Sequence, residues 1–128
     1  MADVSAHEYC HAITQATCNL EYEGQSGAIN ESLSDIFGTA FERHMFPNGA
    51  PGQWNWNIGD DVFVARSMAN PPSIVQGFEP NNQPIFQPER FLGPNWRPVV
   101  PPCGRNNDFC GVHINSGVMN KWFHTLCE

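Results

Sequence analysis

Two histidines near the start of the chain have a spacing that suits metal binding. His7 and His11 stand four positions apart in the segment HEYCH, and 3.6 residues per helical turn would place both imidazoles on one helix face. Glu8 follows the first histidine and would lie beside a metal without binding it, where a general base belongs. The alternative is coincidence, with both histidines on a solvated helix face. The segment alone suggests a zinc site and leaves that alternative open.

A second polar segment offers the remaining ligand. Catalytic zinc generally takes three protein ligands and keeps a fourth position for water. Glu31 and Asp35 lie one helical turn apart in GAINESLSD. If Glu31 binds the metal, Asp35 faces the same site and can accept the free N–H of a ligating histidine. The alternative is that both are ordinary surface carboxylates. We expect zinc to be held by His7, His11 and Glu31.

Three sequence blocks in a fixed order resemble the thermolysin family of zinc endopeptidases. They are HEYCH, then EYEGQSGAINESLSDIFG with Glu31 twenty positions after His11, then GVHINSG near the end. The similarity covers about residues 3–121. It implies the three zinc ligands already named, with Glu8 polarising the water that attacks the scissile carbonyl. The implied reaction is hydrolysis of an internal peptide bond in a polypeptide substrate.

The resemblance also implies roles for four residues outside the metal ligands. His113 and Tyr22 match the donors that stabilise negative charge on the carbonyl oxygen, and Asp108 matches the carboxylate that orients this histidine. Arg66 matches the arginine that hydrogen-bonds a substrate carbonyl on the leaving-group side. The alternatives are a partly buried aromatic for Tyr22, a loop residue for Asp108 and a brace within its own loop for Arg66.

Calcium beside the active-site helices is a further implication of the resemblance. The matching positions are Asp3, Glu42, Asn55, Asn57 and Asp60. Several carboxylates expected there are amides in this sequence. Because calcium takes six to eight oxygen ligands and gains from their charge, we expect one weakened calcium site at most.

The elements that must position these groups follow from the distribution of proline. All eleven prolines lie between Pro47 and Pro102, which predicts helices at the two ends and an irregular middle, with short strand-like pieces such as 61–65. Helices are predicted over about 3–17, 28–45 and 116–126, with a turn at Gly24 and Gly27. Apolar residues recur at helical spacing in the second helix and predict a buried stripe: Ile29, Leu33, Ile36, Phe37, Ala40 and Phe41. The third helix is predicted to pack Val118, Trp122 and Leu126 on one face.

The predicted fold class is mainly α with long, irregular, proline-rich loops. It resembles the part of the thermolysin-like fold that runs from the active-site helix into the C-terminal helical domain. We expect residues 1–128 to form a single zinc metalloprotease catalytic core. The family's N-terminal β-rich domain and its terminal helices have no counterpart in this sequence, so a missing domain or a partner chain is expected to complete the cleft.

Composition excludes two classes of partner and favours one location. A formal charge of −7 with six Lys and Arg residues gives no basic field for nucleic acid, and no stretch reaches the ~18 apolar residues needed to cross a bilayer. Five cysteines indicate an oxidising, extracellular setting, although no secretory leader is visible. Cys103 and Cys110 close a short loop and are readily bridged, whereas a bridge between Cys10 and Cys18 would require the first helix to stop early.

Three functions from different classes are consistent with these features. The first is a zinc endopeptidase that uses Glu8 as general base. The second is a zinc-binding module, or an incomplete catalytic fragment, without turnover of its own. The third is a disulfide-stabilised scaffold with accidental histidines. A Glu8→Gln variant and a zinc chelator separate the first from the others, because only the enzyme loses cleavage in both experiments.

Overall fold

The computed structural model describes residues 2–47 and 55–128. Four helices carry most of the ordered structure: α1 (Ala2–Thr17), α2 (Gly24–Met45), α3 (Asp108–Asn115) and α4 (Gly117–Cys127). Short strands and 3-10 turns occupy the middle: β1 (Asn57–Ile58), β2 (Arg66–Ser67), β3 (Val75–Phe78), β4 (Pro84–Phe86) and the turns Pro71–Ser73 and Arg105–Asn107. The protein is mainly α with an irregular, proline-rich middle, so the predicted fold class is confirmed.

The strands form two separate antiparallel pairs. β1 pairs with β2, with Asn57 opposite Ser67, and β3 pairs with β4, with an irregularity in register between Val75 and Gly77. The predicted strand at 61–65 is wrong, because those residues form the connection between β1 and β2. Gly59 allows this connection: its φ is +81°, and its carbonyl accepts the N–H groups of residues 62 and 63.

The buried face of α2 is polar, which contradicts the predicted apolar stripe. Ile29, Phe37 and Phe41 are each about 40% exposed, whereas Glu31 and Asp35 are almost fully buried. The helix itself is predicted correctly, because periodicity reveals a two-faced helix without telling which face turns inward. The predicted face of α4 differs in the same way, since Trp122 and Leu126 are more than half exposed.

Two glycines in α2 allow neighbouring backbones to approach closely. A Cβ at Gly38 would lie 2.5 Å from the carbonyl oxygen of Asp3 in α1, and one at Gly27 would lie 2.4 Å from Val112 in α3. The predicted turn at Gly24 and Gly27 is therefore wrong: α2 already begins at Gly24. Gly27 is needed for close packing against α3, which brings that helix near the predicted metal ligands.

The first turn of α3 is left-handed. Asp108, Phe109, Cys110 and Gly111 all have φ between 48° and 87°, and right-handed geometry follows from Val112 onward. Left-handed geometry is unfavourable for residues other than glycine, so this turn must be held by its surroundings. One restraint is the predicted disulfide between Cys103 and Cys110, whose Cα atoms are 5.1 Å apart.

The interior is richer in polar than in apolar side chains. Among the described residues, fifteen buried residues are polar or charged and eight are hydrophobic. Buried polar groups must be hydrogen-bonded or paired to be tolerated, so the helices are arranged around a polar cluster. In the described part of the chain, no helix combines the length and apolarity that a membrane span needs.

Candidate metal centre and active site

α1 and α2 bring His7, His11 and Glu31 together. One donor atom from each lies within 4.8 Å of the other two, and the Nε2 atoms of the histidines are 3.0 Å apart. The Glu31 carboxylate is 3.6 Å from Nε2 of His7 and 3.3 Å from Nε2 of His11. Two imidazole nitrogens and a carboxylate oxygen are a donor set that zinc takes.

Both histidines are oriented by acceptors on α2. Nδ1 of His7 donates to Oδ1 of Asp35 at 2.8 Å, and Nδ1 of His11 donates to Oδ1 of Asn30 at the same distance. Because a carboxylate and an amide oxygen can only accept, they favour the proton on Nδ1. In the neutral form of each histidine, Nε2 then presents its lone pair to the centre of the cluster.

The donor atoms fit a bound cation. Two lone pairs and a carboxylate converge there, and Oε2 of Glu31 is buried without a hydrogen-bond partner among the described residues. Burial opposes the ionisation of Glu31, but its hydrogen bond with His11 and the charge of His113 outweigh that effect and hold its pKa at about 2. The hydrogen bond to Glu31 also raises the pKa of His11, although burial opposes the rise. A three-ligand cluster with a buried, anionic Glu31 is therefore suited to a divalent metal.

Asp35 connects the metal cluster to two other parts of the fold. Its Oδ1 accepts Nη2 of Arg66 at 2.7 Å in addition to His7, while Oδ2 accepts Nε of Arg66 and Nδ2 of Asn120, both at 2.8 Å. Burial opposes the ionisation of Asp35, but Arg66 and His7 outweigh it and lower its pKa to about 2. Three N–H donors besides that of His7 thus fix the carboxylate that orients this histidine.

Tyr22 and His113 lie on the other side of Glu31. The Tyr22 hydroxyl donates to Oε1 of Glu31 and is 3.2 Å from Nε2 of His113, which is 3.4 Å from the same carboxylate oxygen. Burial and the bond to Glu31 raise the pKa of Tyr22, so its hydroxyl keeps its proton over the working pH range. Two polar donors therefore face the predicted metal cluster.

The left-handed turn at the start of α3 positions His113 through Asp108. Oδ1 of Asp108 accepts Nδ1 of His113 at 2.5 Å, and Oδ2 accepts the backbone N–H groups of His113 and Ile114. The bond to Asp108 and the charge of Glu31 raise the pKa of His113, with burial opposing them. Phe109 and Cys110 are unusual residues for such a turn, yet the contact between Asp108 and His113 forms.

An open cleft of about 720 Å³ gives solvent access to this cluster. Its walls include the predicted ligands and donors together with Glu8, which is exposed. A carboxylate beside the ligands that is free to meet water is what a general base requires. Asp35 lies behind the ligands and does not line this cleft. Arg66 and Asp108 line a neighbouring cleft instead.

Three of the five predicted calcium positions form a second acidic cluster. Oxygen atoms of Asp3, Glu42 and Asp60 lie within 4.8 Å of one another. Burial and the charges of Asp3 and Asp60 raise the pKa of Glu42. Asn55 reaches the cluster by donating from Nδ2 to Asp60, and the backbone N–H of Asn57 donates to Oδ1 of Asn55. Calcium normally takes six to eight oxygen ligands, so these three side chains would supply only part of its coordination, and the calcium site stays a prediction.

Comparison with known proteins decides the family. Residues 18–128 match the family model described as the thermolysin metallopeptidase alpha-helical domain. The chain belongs to the thermolysin metallopeptidase family. A solved relative, the precursor of protealysin, a metalloproteinase from Serratia proteamaculans, superposes with a TM-score of 0.70 at 29% identity. The superposition covers 95% of this chain and 37% of that one.

Curated members of the thermolysin family are similar in sequence over nearly the whole chain. A zinc metalloproteinase of Renibacterium salmoninarum is 37% identical, covering 93% of this chain and 20% of its own length. The neutral protease NprE of Bacillus pumilus is 38% identical, covering 93% of this chain and 33% of its own length. The chain thus spans about a fifth to a third of these relatives, both of which are named as proteases.

Sequence reasoning missed two residues of this thermolysin-family site. Asn30 precedes Glu31 and holds His11, and it could have been found by asking which polar residue beside a ligand accepts the second histidine's N–H. Asn120 lies 85 residues from Asp35 and is fully buried, with its Oδ1 accepting the hydroxyl of Ser32 at 2.6 Å. No local spacing in the sequence signals that contact.

Proposed function

We propose that this chain is the catalytic core of a zinc-dependent endopeptidase that hydrolyses internal peptide bonds of polypeptides. The observation that carries the proposal is the convergence of His7, His11 and Glu31 beside an exposed carboxylate, Glu8, in one open cleft. A structural zinc site is more often closed by four protein ligands. Here three ligand residues converge where solvent can enter, which favours catalysis.

Zinc would be held by the two histidines and Glu31, and when bound it supplies Lewis-acid polarisation of a carbonyl and of a water. Glu8 takes a proton from the attacking water and delivers it to the leaving amine. Asp35 and Asn30 keep the two imidazoles turned toward the ligand cluster. No covalent intermediate with the protein is needed.

Tyr22 and His113 stabilise the negative charge that develops on the carbonyl oxygen of the substrate. Their hydrogen-bonding atoms are 3.2 Å apart and both face Glu31, so the two donors can act on one oxygen. Asp108 positions His113 and, by raising its pKa, favours the protonated, donating form. Arg66, held by Asp35, binds a substrate carbonyl on the leaving-group side with its remaining donors.

The proposal has three further parts. A calcium ion binds at Asp3, Glu42 and Asp60, where three oxygens converge. The protein works in an oxidising, extracellular setting, which the Cys103–Cys110 bridge supports. A further domain or partner chain completes the substrate cleft, which is open to solvent and has Glu8 in its wall.

The test is cleavage of casein and of a quenched peptide, with and without a zinc chelator, by the native chain and by Glu8→Gln. We expect chelator-sensitive cleavage that falls about 10²- to 10⁴-fold in Glu8→Gln, the range of general-base catalysis. The matched control is Glu23→Gln, which makes the same charge change at an exposed residue without a side-chain capping bond. It should cleave like the native chain.

Zinc content measured on the same samples separates the alternatives. One bound zinc with no cleavage of any substrate would favour a zinc-binding module or an incomplete catalytic fragment. Absence of zinc binding by the native chain would refute both readings. Equal cleavage by Glu8→Gln and the native chain would reject Glu8 as the base.

A further inference from the structure

A second cleft opens on the far side of His113. Its volume is about 670 Å³, and it is lined by Arg66, Asp108 and His113 together with residues of the irregular middle segment. His113 also lines the cleft that contains the predicted zinc ligands. His113 is therefore a wall residue of both clefts, which makes the second cleft a neighbour of the ligand cluster.

Arg97 enters this second cleft from a rigidly held backbone. Its N–H donates to Oδ1 of Asn115 at 2.9 Å, and its carbonyl accepts Nδ2 of the same side chain at 2.8 Å. Asn115 is buried and lies two residues after His113 on α3. The arginine backbone is thus fixed relative to the catalytic histidine, which preorganises its side chain for recognition.

The guanidinium of Arg97 has donors left for a ligand. Among the described residues its one ion pair is with Glu79, which follows β3, through a single Nη2 atom. The two side chains remain 37% and 34% exposed. A guanidinium carries five N–H donors in a planar fork that matches a carboxylate, so Arg97 can bind a second carboxylate beside Glu79 or in its place.

The other charged groups of the second cleft are already engaged. Arg66 is paired twice with Asp35, and Asp108 accepts three N–H groups around His113. Arg97 and Glu79 are therefore the two charged side chains on this wall that do not belong to the predicted catalytic network. Arg97 is thus the one cation of the described wall outside that network, and Glu79 partly neutralises its charge.

We propose that the second cleft binds the leaving-group side of the polypeptide substrate and that Arg97 selects a carboxylate there. This inference rests on the proposed function, because the role proposed for Arg66 defines which side of the scissile bond the cleft receives. The carboxylate is either an acidic side chain or the terminal carboxylate of a short peptide. Glu79 competes with it for the guanidinium and so limits the preference.

The test uses fluorescent peptides that represent the leaving-group half of a substrate, with binding to the zinc-loaded chain followed by anisotropy. The first arm compares a peptide that has an internal Glu with one that has Gln in its place, both with an amidated C-terminus. The second arm compares a free C-terminus with an amidated one in a peptide without Glu. Arg97→Gln should reduce the preference for the carboxylate peptide by up to about fivefold, the upper range for partly exposed ion pairs. Glu79→Gln should increase that preference, and Arg97→Lys should retain only part of it, because an ammonium keeps the charge but lacks the planar fork.

Arg90→Gln is the matched control, since it removes the same charge from a surface pair with Glu89 outside this cleft. Loss of the preference in Arg97→Gln but not in Arg90→Gln supports the proposal, and the arm that responds identifies the source of the carboxylate. An equal preference in all variants, or none in the native chain, overturns it. The same peptides, extended into quenched substrates, report cleavage separately. Selective binding without cleavage would refute the proposed enzyme activity but support the proposed carboxylate-binding site.

Discussion

Replacing Asp35 by Asn tests the claim that one buried carboxylate organises the metal centre. The change is nearly isosteric and removes the charge that His7, Arg66 and Asn120 all face. An amide NH₂ in place of one oxygen also breaks two of the four hydrogen bonds. The lowering of the Asp35 pKa from 3.8 to about 2 corresponds to roughly 2 kcal/mol in favour of the charged form.

Two effects of Asp35→Asn should be measurable. Arg66, whose side chain is 12% exposed, keeps Glu31 as its one anionic neighbour among the described residues, at 3.8 Å. Removing one partner of a buried pair costs about 3–5 kcal/mol, so we expect a stability loss of about 2–4 kcal/mol. Zinc affinity should fall about 10- to 100-fold, because His7 loses the acceptor that fixes its ring.

The assay is competition for zinc against a chromophoric chelator, paired with urea unfolding of the zinc-free chain. Asn120→Ala is the companion variant, since it removes one donor from Asp35 and leaves the charge. It should weaken zinc binding by about fivefold, the effect of one hydrogen bond. Native-like zinc affinity in Asp35→Asn, together with reduced stability, would show that Asp35 braces the fold without orienting the ligand.

Two further predictions concern the regions beside the site. Replacing both Cys103 and Cys110 by Ser should lower the free energy of unfolding in urea by roughly 2–3 kcal/mol, as expected for a bridge that closes a short loop. The double variant should also cleave substrate more slowly, because the left-handed turn that carries Asp108 loosens. Native-like cleavage would show that the turn is held without the bridge. In calcium-free protein, the stability associated with Glu42 should be fully present below its unfolded pKa near 4.5 and should be lost as the pH rises through its raised folded pKa, because the folded state binds the proton more tightly. At pH 7, added calcium should raise the midpoint temperature of thermal unfolding of the native chain but not that of Glu42→Gln. An equal rise in both would show that calcium binds at another site.

Local spacing was enough to anticipate the chemistry within single elements. Two histidines at i and i+4 share a face of α1, and Glu31 and Asp35 share a face of α2, since helical geometry alone relates residues so close in sequence. The convergence of the two faces could be expected only through the family resemblance. The catalytic roles assigned to these residues stay predictions until the variants are measured.

The parts that sequence did not reveal depend on contacts between distant elements. The apolar residues of α2 recur at helical spacing, yet the opposite, polar face is buried, because α1 and α3 carry the histidines that its carboxylates bind. Likewise, the segment DFCG contains glycine only at its last position, so nothing local predicts four consecutive left-handed residues. The structure explains the turn, because the side chain of Asp108 bonds to the backbone of α3 and the disulfide fixes Cys110.

A polar interior changes what stabilises this chain. Hydrophobic burial is the main favourable contribution in most domains, but here Ile29, Phe37 and Phe41 are substantially exposed while two carboxylates with pKa values of about 2 are buried. Such charges are tolerated only when cations and N–H donors surround them. Arg66 and Asn120 serve Asp35, but Glu31 still has a buried oxygen without a hydrogen-bond partner in the described structure. A metal at that oxygen would therefore add to the folding free energy as well as to catalysis, because ligand binding to the native state alone stabilises it.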